Sequence, residues 1–103
     1  IFRREFIRAL FERTVDDVRG EYEAGGKPQH FALFERYDID PADDVSYARL
    51  ANEFGLTPAH VTNTLAHVRR RFRERALERL RALCLSDDEF RRESRELFGT
   101  EVR

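Results

Sequence analysis

The sequence predicts an all-α fold, a helical bundle of about five helices containing a helix-turn-helix and one long recognition helix, and three observations predict it. Of 103 residues, 38% are charged and 41% hydrophobic, a balance that suits solvated amphipathic helices better than sandwiches or barrels. The five glycines and three prolines fall mostly between periodic segments, where helices stop and start. Within those segments the apolar residues recur at spacings of three and four. A chain of this length fits one domain with one core.

The first helix is read over 2–22, where Ile7, Phe11, Val15, Val18 and Tyr22 form a stripe that Phe6 and Leu10 widen. Ala24, Gly25, Gly26 and Lys27 end it, and Pro28 suits the first turn of a second helix carrying Phe31, Phe34 and Tyr37. The acidic run 38–44 reads as a solvated polar loop. Ser46 can cap a short helix whose inward positions are Tyr47, Leu50, Ala51 and Phe54. Gly55 turns the chain, Leu56 plugs the corner, Thr57 caps and Pro58 opens the long helix. Its stripe is Val61, Leu65, Val68, Phe72, Ala76, Leu80 and Leu83, ending near Cys84. Ser86 with Glu89 forms a capping box for a last helix with Phe90, Leu97 and Phe98 on one side; Gly99 stops it, and 100–103 are expected to fray.

Net charge is −1, but its distribution is uneven. Residues 60–81 hold seven arginines (69, 70, 71, 73, 75, 79 and 81) against Glu74 and Glu78, while 1–59 carry eight basic and twelve acidic side chains. No apolar stretch nears the roughly 18–20 residues of a membrane span, and the start lacks a signal-peptide pattern, so a cytoplasmic chain is expected. The lone Cys84 reads as apolar filler. With no methionine, and with Ile1 inside a helical pattern, 1–103 reads as a single domain cut from a longer protein. No nucleophile with an adjacent base, glycine-rich phosphate loop or paired carboxylates is apparent. His60 and His67 lack a third metal ligand. The expectation is therefore no enzyme, no catalytic residue, no metal and no cofactor.

The helix-turn-helix core spans about 46–72. With Val61, Leu65, Val68 and Phe72 inward, the opposite face of the long helix presents Ala59, His60, Thr62, Asn63, Ala66, His67 and Arg70. Small and polar side chains let a helix enter the major groove, and Asn63 has the donor and acceptor that read an adenine edge. Thr62 suits a thymine methyl or a phosphate, and Arg69, Arg70, Arg71 and Arg73 suit phosphates. Duplex DNA is the expected partner, with Thr57, His60, Thr62, Asn63, His67 and these four arginines as DNA-binding residues. The competing expectation is a helical protein-interaction or dimerisation module, in which the arginines are a solvated face paired with Glu74 and Glu78. Phe2, Phe6 and Ile7 discriminate the two: the domain's own last helix covers them in the first case, another chain in the second.

Residues 46–57 (SYARLANEFGLT), followed by Val61, Leu65 and the run 68–73 (VRRRFR), resemble region four of bacterial RNA polymerase sigma factors, especially the extracytoplasmic-function type. The likeness covers about 30 residues. It implies a recognition helix that binds the promoter's minus-thirty-five element, with His60, Thr62, Asn63, Ala66 and His67 at the groove and Arg69 to Arg71 on the backbone. It also implies contact with RNA polymerase core through the parent protein, and surfaces for an anti-sigma or other regulatory protein. The chain departs from the family at Ala59, Thr62 and Thr64, which are neutral where charged side chains are usual, and at Arg49, where an acid is common.

Overall fold

The computed structural model describes residues 2–99 and is all-α: α1 Phe2–Ala24, α2 Pro28–Phe34, α3 Tyr47–Phe54, α4 Pro58–Leu83 and α5 Asp87–Phe98, with no strand among the described residues. The expectations for Ile1, for the Phe2 side chain and for 100–103 lie outside the described residues.

Hydroxyl caps set three of the helix starts. The side chains of Ser46, Thr57 and Ser86 accept hydrogen bonds from the backbone N–H of Arg49, His60 and Glu89, each at 3.1 Å, which satisfies donors that the first turn leaves without partners. At α5 the box closes one residue earlier than the usual pattern, because Glu89 accepts from the Leu85 N–H at 2.8 Å.

Three ends are set by left-handed glycine, Gly99 closing α5 at φ +71°. Gly26 and Gly55 have φ of +74° and +69°, and the residue after each donates back across the last turn, Lys27 N–H to Tyr22 O and Leu56 N–H to Ala51 O, both at 2.8 Å. The first of these turns brings Lys27 back beside Tyr22. The second drops Leu56 onto the core and starts α4 immediately after α3.

Helix α4 is the spine, in contact with α1, α2, α3 and α5. Its Val61, Leu65 and Val68 are fully buried among Val15, Val18, Phe31, Leu33, Phe34, Leu50 and Ala51. Each such aliphatic side chain contributes about 1.5–3 kcal/mol of burial. Toward the other end, Leu10, Thr14, Ala76, Leu80 and Ser94 are buried. Two of the three buried hydroxyl residues, both at this end, donate within their own helices, Thr14 to Leu10 O at 2.7 Å and Ser94 to Phe90 O at 2.6 Å.

Three details differ from the sequence expectation. The second helix does not stop before Asp38 but continues as a π-helical turn, Glu35–Ile39, closed by Asp40 N–H to Glu35 O at 2.9 Å. Ile39 and Tyr37 pack on the core and Asp38 pairs with Arg69, which is why this part of the acidic run is structured. Phe11 and Leu83, expected inward, are 46% and 59% exposed. Thr14 takes the covered position near Phe11, whose ring lies 5.1 Å from that of Phe72, and Leu80 is the last covered residue of α4. Cys84 is half-buried; burial first, then Glu89 and Glu93, push its thiol above its ordinary pKa, so it stays protonated. No helix among the described residues is long and apolar enough to cross a membrane.

Candidate nucleic-acid interface

The turn 55–57 and the cap on Thr57 aim the first turns of α4 outward beside α3. From Pro58 to Arg73 this helix contains no carboxylate. Ala59, His60, Thr62, Asn63, Ala66, His67 and Arg70 are all exposed, while Val61, Leu65 and Val68 between them are buried. The outer face is thus continuous and slender, with Arg70 its one permanent charge. Two hydroxyls on it are already engaged, Thr57 as the cap and Thr62 as a donor to Pro58 O at 3.0 Å.

The arginines divide. Arg70 is exposed, and no ion pair involves it among the described residues. Arg69 is turned back onto the fold: it holds Asp38 through two hydrogen bonds of 2.8 and 3.0 Å, reaches the Tyr47 hydroxyl at 3.4 Å and lies 5.7 Å from the Tyr37 ring centroid. Asp38 above all, then Tyr47, raises its pKa further. Arg71 is held by Glu21 at 2.7 and 2.8 Å and by Glu78 at 3.3 Å, with Glu21 the chief cause of a raised pKa. Arg73 sits 5.5 Å over the Phe98 ring. Further along, Arg75 and Arg79 converge on Asp17, Arg75 at 2.9 Å. The hydrogen bond from Arg79, then that from Arg75, keeps the Asp17 carboxyl below its ordinary range.

The pairing with Glu74 and Glu78 weighed from the sequence is present at Arg71 and Arg75. The stronger pairings, to Glu21 and Asp17 of α1 and to Asp38, were not anticipated. At the start of α1, Phe6 and Ile7 are half-buried, Arg3 reaches Glu93 and Glu96 of α5, and Phe6 lines an open hollow together with Glu89 and Glu93.

The sequence reading missed Lys27 and His30. Beside the outer face of α4 runs a groove of about 320 Å³ lined by Tyr22, Lys27, His30, His60, Asn63, Thr64 and His67. It gathers all three histidines of the chain. The rings of His30 and His60 lie 6.5 Å apart, nearly perpendicular, and His30 lies 6.2 Å from Tyr22. Burial first, then Lys27, His60 and His67, lowers the His30 pKa. The signal was available in Lys27 and His30 flanking Pro28, but which helix they would face was not. Among the described residues no group of three or more His, Cys, Asp or Glu side chains is arranged to hold a metal ion. No family model, curated protein or solved structure matches the chain.

Proposed function

We propose that this chain binds duplex DNA in the major groove through the outer face of α4, as the region-four-like domain of a sigma-type transcription initiation factor acting in the cytoplasm. The observation that carries the reading is the exposed, carboxylate-free face of Ala59, Thr62, Asn63, Ala66, His67 and Arg70, directly after a capped turn from α3. Small side chains along such a face allow close approach to base edges, and Asn63 has the paired donor and acceptor for adenine. Arg70 supplies the central phosphate contact. The sequence likeness over 46–73 supports the same reading and extends it to RNA polymerase core, reached through the parent protein.

Enrichment from a random duplex pool tests it. The unaltered chain should select a sequence, and Asn63→Ala should lose preference at one or two positions, worth roughly 1–3 kcal/mol. Enrichment that is absent, or unchanged by Asn63→Ala, contradicts base readout.

A second reading has its own observation. Leu83 and Leu85 are 59% and 95% exposed, and Leu83 lines an open groove with Phe6, Leu10 and Ala82 on one side and Arg13, Arg75, Glu78 and Arg79 on the other. Exposed leucines at a groove of mixed character favour a protein partner there, a regulator or a second copy, with the α3–α4 unit as scaffold. This end of α4 lies remote from Asn63, about 30 Å along the axis at 1.5 Å per residue, so the two readings are compatible.

A further inference from the structure

We infer that the groove between α2 and α4 is a second DNA contact, a proton-linked phosphate site in which Lys27, His30, His60 and His67 hold a backbone phosphate beside the base-reading face. The inference rests on the DNA-binding reading and adds to it a new contact element, the α1–α2 turn, and a dependence on pH. Three features of the groove carry it. It is open, about 320 Å³, and no carboxylate lines it. It shares Asn63 and His67 with the outer face of α4, so a duplex seated there passes its mouth. Every ionisable group facing His30 is a base or a phenol: Tyr22 from α1, Lys27 from the turn, and His60 and His67 from α4. The adjoining hollow, reached past Lys27 and His67, adds Arg70 and Arg71 together with Glu21 and Glu74. Both acids lie within reach of Arg71, at 2.7 and 3.6 Å.

Histidine is the side chain suited to changing charge between pH 5 and 8, so a phosphate held on histidines couples binding to proton uptake. In the free protein burial above all, then Lys27, His60 and His67, opposes the charged form of His30. A phosphate seated among them removes that opposition, so binding takes up protons and tightens as pH falls. The sign for the free fold is opposite. The depressed His30 pKa means that the unfolded chain binds more protons below about pH 6.5, so the free domain loses stability there while its affinity for phosphate rises.

The test measures duplex binding at about pH 5.8 and about pH 7.5, the window in which histidine changes charge, at constant ionic strength and with chelator present. A selected duplex and a scrambled one are used, with helicity checked for every variant. Affinity for both duplexes should rise roughly fivefold at the lower pH, since one pKa unit on a single imidazole is worth at most tenfold and this window spans only part of the titration. The ratio should fall toward one in His30→Gln/His60→Gln, whereas Arg70→Ala should weaken binding at both values and keep the ratio. Histidine NMR titration of the unaltered chain gives a readout independent of any variant: DNA should raise the imidazole midpoints. Salt-sensitive binding with a ratio near one, a ratio unmoved by the histidine changes, or midpoints unaltered by DNA overturns the groove and leaves the DNA reading standing. Absence of salt-sensitive binding at either pH overturns both.

Discussion

Arginine at 69, 70, 71, 75 and 79 is one residue type put to two uses, and the neighbouring acid decides which. Where a carboxylate of another element stands within about 3 Å the side chain is a clasp, as at Asp38 for Arg69, Glu21 for Arg71 and Asp17 for Arg75 and Arg79. Where none does, as at Arg70, it is available to a ligand. Asp17 shows the energetic side. Its carboxylate serves two guanidiniums and is 22% exposed, so water screens it less than a fully exposed pair. Asp17→Asn should cost about 1 kcal/mol near neutral pH. In a domain of this size that is roughly 4–8 °C of melting temperature. The folded pKa is depressed, so this stability is present above the ordinary carboxylate pKa of about 3.9 and is lost as pH falls through the folded value. Thermal melts should therefore show the deficit of Asp17→Asn narrowing below about pH 4. A deficit independent of pH would mean that Asp17 acts by packing alone.

At the scale of elements, the helix starts and stops were legible because they depend on local chemistry: a hydroxyl before the helix, proline in its first turn, glycine after its end. Gly55 is the most demanding of these positions. At φ +69° its neighbourhood is open, so an added methyl group meets no neighbour and the cost is backbone strain alone. Gly55→Ala should destabilise by roughly 1–2 kcal/mol, read by chemical denaturation, and any loss of DNA affinity should follow the loss of fold. A neutral Gly55→Ala would contradict the left-handed turn between α3 and α4. The π-helical turn was not legible. Asp38 and Asp40 look like loop residues, and only the distant Arg69, with the core that receives Ile39, makes Glu35–Ile39 helical. Helical periodicity held part of the arginine answer. At about 100° per residue, Arg70 lies opposite Val61, while Arg69 and Arg71 lie about 80° to either side, beside the apolar stripe and within reach of packed helices.

The whole molecule measures 46 × 29 × 23 Å, elongated because α1 and α4 run past the main core toward α5. Its Cα radius of gyration is 15.3 Å, against about 13 Å for a compact domain of similar length. The charge asymmetry of the sequence is thereby largely consumed inside the molecule: acids of α1 face arginines of α4, and a composition that suggested a broad basic surface yields a narrow one. Charge counting over 60–81 could not reveal this, because the partners Asp17 and Glu21 lie 50 to 62 residues away in sequence. Among the described residues, the carboxylate-free outer face of α4, with Arg70 outside any ion pair, and the groove beside it remain open to a ligand. One measurement tests that division most directly: the salt dependence of duplex binding for the unaltered chain, Arg70→Ala and Arg71→Ala, with a thermal melt of each. Arg70→Ala should weaken binding across sequences, lower the log–log salt slope by about 1 and leave the melt unchanged. Arg71→Ala should lower the melting temperature and, while folded, retain the slope. Equal loss of slope in both variants, or none in Arg70→Ala, would contradict the account.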